Sequence, residues 1–330
     1  MYRYFLGGDV GGTKTRLLLV DESGQVAGFG QAGPGNHEGV GYAGLTRALL
    51  SAFEKALPLQ ISIEQIAGAG FGIGGYDFPS EIAATLNAIT PLGLTCPVIP
   101  VNDTIIGLLA GSSEGWGVAL VSGTGCNCWG WDRTRQCIGR MTGHGMRMGE
   151  AAGAGELVDH AIRAVAHQWT RRGPVTELTP AFIQFTGASD LEDLVEGILQ
   201  DRYSIGASSA PLVFEVAEAG DMVAREVIRW AGCELGEMAK AVIRQLDFQD
   251  IEFEVVLSGS MFAGGPLLIE PLAATIQAFA PHARLVRLKE PPVVGAVLLG
   301  MEAAGVKATP AFRQKLSASL VGAKLSRELS

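Results

Sequence analysis

The stretch FLGGDVGGTKTRLLLVDESGQV, residues 5–26, restricts the fold more than any other part of the chain. Two short apolar runs, residues 4–8 and 16–20, flank Asp9-Val10-Gly11-Gly12-Thr13-Lys14-Thr15, and Asp21-Glu22-Ser23-Gly24 turns into a third run at 25–29. Runs this short, bounded by Gly, Asp and Ser, read as strands, so the chain opens as an antiparallel meander. A Walker A loop needs glycine directly before its lysine and a helix after it. Here Thr13 precedes Lys14, and LLLVDESG is too short and turn-bounded for a helix. A dinucleotide fingerprint fails on the same missing helix and on glycine spacing.

What remains is a glycine hairpin with a carboxylate beside it. Gly11 and Gly12 let bare backbone N–H groups approach phosphate oxygens, and the Thr13 hydroxyl is a further donor. Asp9 fits that picture if Mg²⁺, held through water, stands between it and the phosphates of a nucleotide. The same residues also suit an acidic type I′ hairpin with no ligand at all.

Further along, the spacing predicts a helix over 45–57, a strand over 66–73 entering Gly74-Gly75, a helix from about Pro79 and a strand over 97–101. The pattern then restarts. Residues 116–121 are apolar, Ser122-Gly123-Thr124-Gly125 is a turn, and 126–131 resumes an extended stretch, as two related domains would. Residues 150–245 read as mostly helical. A strand at 255–257 runs into Ser258-Gly259-Ser260, a helix starts near Pro266, and 291–304 reads as the last helix. The expected domains are 1–112 and 113–330, with the last helix able to pack back on the first.

Asp103 follows the strand at 97–101, a position that suits accepting the proton of an attacking hydroxyl, though equally one that caps the next helix. Asp77, another acid beyond a glycine pair, is read as lying away from the site. The Ser122–Gly125 turn offers a second phosphate clasp. Gly259 and Ser260 sit at a third glycine-rich strand exit, where a flat adenosine base can lie against the chain.

Composition narrows the function classes. With 48% hydrophobic residues in 330, a sizeable core is available, and a formal net charge of -9 without any basic run argues against nucleic acid. The first residues carry no signal-peptide core and the apolar runs fall short of a membrane span, so a cytoplasmic protein is expected. Five cysteines without a CxxC pair form neither a disulfide framework nor a zinc site and read as buried free thiols.

In this order and at these intervals, Asp9-x-Gly11-Gly12-Thr13, Asp103, Ser122-Gly-Thr-Gly125 and Gly259-Ser260 resemble the actin-like ATPase, hexokinase and sugar kinase superfamily. Within it the chain is similar to the N-acetylglucosamine kinase and BadF/BadG/BcrA/BcrD ATPase family, through GPGNH (33–37), FGIGG (71–75), SGTGCNC (122–128), GHGMRMGE (143–150) and AEAGD (217–221). The resemblance implies an α/β chain of two actin-like (ribonuclease H-like) domains with a nucleotide and sugar cleft. It implies ATP and Mg²⁺ as cofactors, with phosphates held by Gly11, Gly12, Thr13, Lys14, Gly123, Thr124 and Gly125, adenosine by Gly259 and Ser260, and metal by Asp9. Sugar would face Asn36, His37, Gly75, Asn102, Asp103, Thr124, Asn127, Gly145 and Glu150, with Asp103 as base, while Asp221 reads as a helix cap. The implied reaction is phosphorylation of an amino sugar, N-acetylglucosamine to its 6-phosphate, by a homodimer with a small-molecule partner.

The chain departs from the pattern at Gly149-Glu150-Ala151-Ala152-Gly153, where sugar kinases of this family tend to read GDEGS, and at His144, where they place Trp. An ATPase activator of a radical dehydratase system is a second reading, but it requires a shared iron–sulfur cluster. Cys126 and Cys128 lie inside the phosphate turn and strand, where a cluster would collide with ATP. A non-catalytic sugar sensor is a third, and it would not need both Asp9 and Asp103. Kinases of the repressor-related group share the DxGGT start but carry a zinc-binding His and clustered Cys, and this chain has no such Cys cluster.

Overall fold

A computed structural model describes residues 3–322. The chain begins β1 (Tyr4–Val10), β2 (Thr15–Asp21), β3 (Val26–Ala32), α1 (His37–Ala56), β4 (Ile66–Ile73), α2 (Ile82–Ile89), β5 (Val98–Asn102) and α3 (Asp103–Gly111). It continues β6 (Gly117–Ser122), β7 (Cys126–Trp131), β8 (Ile138–Arg140), α4 (Ala154–Trp169), α5 (Leu178–Thr186), α6 (Leu191–Leu199), α7 (Ala210–Glu218) and α8 (Met222–Gln245). The last elements are β9 (Phe253–Ser258), α9 (Pro266–Gln277), β10 (Ala283–Arg287), α10 (Pro292–Ala303) and α11 (Pro310–Gly322). Two five-stranded sheets result, in the orders β3-β2-β1-β4-β5 and β10-β9-β6-β7-β8. The protein is therefore α/β.

Contacts divide the chain into two compact units. The first holds the residues up to Ala119, Gly130–Gln136 and the chain from Val286; the second holds Leu120–Trp129 and Cys137–Leu285. The first unit thus draws segments from both sides of residue 112.

In the first sheet the meander is antiparallel while β1/β4 and β4/β5 are parallel. Side chains alternate between two apolar layers, as the strand period of two requires. Leu17 and Leu19 join the layer beneath α1 and α2, whereas Leu18 and Val20 join that of α10 and α11. Fully burying a side chain such as Val297 or Leu298 in the second layer contributes about 1.5–3 kcal/mol.

Glycine columns bring helix backbone directly onto this sheet. A Cβ at Gly68 would lie 2.1 Å from the Gly300 carbonyl oxygen, and one at Gly70 2.3 Å from that of Ala296. On the other face a Cβ at Gly30 would lie 1.9 Å from the Ala52 oxygen. Any side chain there would force α10 or α1 off the strands.

Several boundaries differ from the sequence reading. β1 runs on to Val10, so Asp9 lies within the strand, paired with Arg16 on β2 and Gly72 on β4. Helix α1 starts at His37 instead of residue 45, its first turns interrupted at Gly41, which has φ 68°. Helix α11 follows the helix expected to be last. Of the cysteines, Cys126 and Cys128 are buried free thiols, but Cys137 is exposed and Cys96 and Cys233 are half-buried.

Candidate active site

The β1–β2 connection spans Gly11 to Lys14, closed by the Gly11 N–H donating to the Lys14 oxygen at 2.9 Å. Neither Gly12 nor Thr13, the central residues of this connection, has positive φ, so the tip is not the type I′ turn, which needs positive φ at both. A Cβ on Gly12 would meet nothing within 4 Å, and one on Gly11 would make only an ordinary contact. The fold itself has no use for glycine here. Gly12, Thr13 and Lys14 are exposed, and the Gly11 carbonyl accepts from the N–H groups of Gly35 and Asn36, which fixes the base of the tip.

Below the tip, three carboxylates gather. Asp103 is the first residue of α3, and parallel pairing of Ile73 with Asn102 sets the glycine exit of β4 beside it. A Cβ at Gly74 would lie 3.1 Å from Asp103 Oδ2 and 3.7 Å from Asn36 Nδ2. Burial is the main cause that pushes the Asp103 carboxyl up to about 7, and the charges of Asp9 and Asp77 add to it. Burial likewise raises Asp9 to about 6, against the attraction of Arg16. A carboxylate near 7 is poised to take a proton at neutral pH.

Asp103 does not cap its helix. Asn102 does, its side-chain oxygen accepting from Thr104 N–H at 2.9 Å. Asp77 is also not remote, contrary to the sequence reading. It is 5% exposed, and its Oδ1 accepts from Asn102 Nδ2 at 2.8 Å.

Asn36 caps α1, accepting from Glu38 N–H at 2.9 Å. Its neighbour His37, expected to face a sugar, turns its imidazole inward, stacked on Tyr42 at 4.4 Å and 3.5 Å from Glu81 Oε1. Gly75 has φ 82°, and a Cβ there would lie 2.5 Å from Asn36 Oδ1, so this glycine preserves the position of Asn36.

In the second unit the Ser122–Gly125 turn is tied to the start of α4. Ala154 and Gly155 donate their N–H groups to the oxygens of Gly123 (2.8 Å) and Thr124 (3.2 Å), and the Ser122 hydroxyl donates to the Ala152 oxygen at 2.7 Å. Thr124 and Gly125 stay exposed, and a Cβ on Gly123 or Gly125 would meet nothing within 4 Å. Gly259 differs: with φ 111°, its Cβ would lie 2.1 Å from the Ser122 oxygen, so close packing alone demands glycine. Ser260, Met261, Phe214, Pro211, Ala207 and Ala154 line a cavity of about 460 Å³, reaching the helix start that holds the turn.

Glu150, expected to face a sugar, is fully buried, and its carboxylate accepts from the N–H groups of Thr142 (2.6 Å) and His144 (3.0 Å). Its own N–H donates to the Gly145 oxygen, drawing the loop into a closed curve. Asn127 lies beneath this loop, its side-chain oxygen accepting from Cys128 N–H while a Cβ at Gly143 would lie 2.9 Å from its Nδ2. His144 is exposed, and Asp221 caps α8 as expected, accepting from Ala224 N–H.

The sequence profile of the BadF/BadG/BcrA/BcrD ATPase family matches residues 6–300. The chain belongs to that family. It is 25% identical over 300 residues to the N-acetylmuramic acid/N-acetylglucosamine kinase of Clostridium acetobutylicum, covering 90% of this chain and 98% of that one. It is also 25% identical over 312 residues to the N-acetyl-D-glucosamine kinase of Dictyostelium discoideum, covering 90% and 97%. Among solved structures, a provisionally assigned N-acetylglucosamine kinase from Chromobacterium violaceum superposes with TM-score 0.65 at 26% identity, covering 90% of this chain and 98% of that chain. A ROK family glucokinase from Streptomyces griseus, solved with glucose and AMPPNP, shares the fold with TM-score 0.55 at 18% identity, covering 92% and 100%. The two sheets of this BadF/BadG/BcrA/BcrD family member are thus those of the actin-like sugar kinase fold.

Sequence reading of this family member set Asp77 away from the site, because it lies outside any motif, and missed the cavity wall from α7. The β4–β5 pairing is what joins Asp77 to Asn102, across a separation of 25 residues. Helix α7 is mostly apolar, with charges only at Glu215 and Glu218, and in sequence it reads as an ordinary packed helix, not as a cavity wall.

Proposed function

We propose that the protein is an ATP- and Mg²⁺-dependent kinase that phosphorylates an amino sugar, N-acetylglucosamine to its 6-phosphate. The observation that carries this is the gathering of Asp9 and Asp103 beneath a hairpin tip whose glycines the fold does not require. The names of the relatives support the substrate class.

In this reading Asp103 accepts the proton of the attacking hydroxyl, its raised basicity matched to neutral pH. Asn36, beside Gly74 and Asp103, orients the sugar by hydrogen bonding. In the first unit, backbone N–H groups at Gly11–Lys14 suit phosphate oxygens; in the second, the turn Gly123–Gly125 suits the same chemistry and the cavity beside Ser260 suits an adenosine base. The donor set fits Mg²⁺: Asp9 offers hard oxygens in a region where carboxylates crowd one another. When bound, the ion would neutralise charge developing on the transferred phosphoryl group. The iron–sulfur activator reading needs accessible thiols, whereas Cys126 and Cys128 are buried and burial pushes the Cys126 thiol up to about 11.

The test is ATP consumption across hexoses, hexosamines, their N-acetyl forms and N-acetylmuramic acid. N-acetylglucosamine is expected to give the highest kcat/KM. ATP use that no sugar stimulates would overturn the assignment.

A further inference from the structure

A relay of hydrogen bonds runs from Glu81 to Asp103, exposed or half-buried at Glu81 and buried at Asp77 and Asn102. The Glu81 carboxylate accepts from the N–H groups of Asp77 (2.9 Å) and Phe78 (2.8 Å), fixing the Asp77 backbone. The Asp77 side chain then accepts from Asn102 Nδ2, and Asn102 Oδ1 accepts from Thr104 N–H, the first turn of the helix that begins with Asp103.

An asparagine amide has one accepting and one donating end, and the two are nearly equal in shape. Turned over, Asn102 would present its NH₂ to Thr104 N–H, and the α3 cap would be lost. Asp77 prevents this because an ionised carboxylate only accepts. It admits the donating end of Asn102 and so leaves the oxygen for Thr104. The Tyr76 carbonyl, 3.3 Å from the same Nδ2, favours the same orientation more weakly.

We infer that Asp77 is a positioning residue for Asp103, acting through the orientation of the Asn102 amide that caps α3. The inference rests on the kinase reading only for what Asp103 then does. Asp77 touches no substrate in this scheme; it keeps the backbone beneath the base in one place, and displacements near 1 Å at a reacting group cost about 10²-fold.

Two kinds of measurement test it. Amide exchange at Thr104, followed by NMR, is expected to speed about tenfold or more in Asp77→Ala and less in Asp77→Asn, whose amide can still accept. The reversed pair Asp77→Asn/Asn102→Asp places a donor at 77 and an accepting cap at 102, aspartate being an equally good N-cap, and should return exchange to near the wild-type rate. Thr104 exchange unchanged in Asp77→Ala would overturn the inference whatever the enzyme's substrate. In turnover, Asp77→Ala should lower kcat about 10–100-fold with the KM for Mg-ATP nearly unchanged, and the reversed pair should recover most of it. A merely structural role would lower thermal stability without that split, and this outcome too would overturn it. If the wild-type protein phosphorylates no sugar, the kinase reading fails instead, and the exchange measurements still judge the relay.

Discussion

Two populations of glycine in this protein answer to different causes. Gly30, Gly68, Gly70 and Gly259 are demanded from within: a Cβ at each would lie 1.9–2.3 Å from a carbonyl oxygen of the same unit. Gly12, Gly123 and Gly125 are not: their φ values are not positive, and a Cβ on each meets nothing within 4 Å. The first group is explained by the fold, the second only by something that approaches from outside. The difference separates stability from function residue by residue, and Asp103 belongs with the second group, since ionising it opposes folding while serving a reaction.

The largest effect that sharpens this contrast is expected at Asp103. Asp103→Asn keeps shape but cannot take a proton, so kcat should fall about 10²–10⁴-fold, roughly 3–5 kcal/mol of barrier. Steady-state kinetics at saturating sugar and Mg-ATP check this, and retention of more than about a tenth of kcat would remove Asp103 from the base role. A packing glycine should behave in the opposite way. Gly70→Ala is expected to destabilise by about 3 kcal/mol or more through overpacking against α10, seen by denaturant unfolding. A near-neutral result would break the first half of the comparison.

Gly12→Ala tests the second half. Its folding stability should stay within about 0.5 kcal/mol of wild type while the KM for Mg-ATP rises. A stability loss like that of Gly70→Ala would show that the hairpin tip needs its glycine after all.

The smallest effect is a pH dependence of stability. Asp103 holds its proton more tightly folded than unfolded, with its pKa raised from 3.8 to about 7. That contribution is fully present below about pH 4 and is lost as pH rises through 7. Asp103→Asn lacks the ionisation, so its melting temperature should exceed that of wild type by a few degrees at pH 8, with a smaller gap at pH 5. Thermal melts without ligand check the sign.

Much of the fold was legible because its signals are local. The strands at 66–73 and 126–131 have the bounds that the apolar runs and their glycine flanks gave. Helix α11 escaped because it buries a thin stripe, Phe312, Leu316 and Leu320 with Ser319, where a broad apolar face would have announced it. The start of α1 was masked by Gly39 and Gly41. At the site, Asp9 stood out as an acid beside a glycine turn and Asp103 as an acid just past a strand, but their neighbours did not. Asp77 joins them only through parallel strand pairing, and His37 looked like a ligand because nothing in GPGNH tells that its ring stacks on Tyr42. Glu150 was expected to face a sugar, yet its side chain reaches two backbone amides that only the folded loop brings to it.

The seat of α10 on the first sheet also governs when that sheet can form. Strands β1 and β4 are made well before α10, but one face of their sheet is closed by residues 292–303. At about 5–20 residues per second, a ribosome would take roughly 10–50 s to go from β4 to that helix. Until then Phe5, Leu18 and Val20 face water or a provisional cover. The nascent sheet therefore stays unfinished on that face until residues 292–303 have been made, and over that interval its apolar strands are open to aggregation.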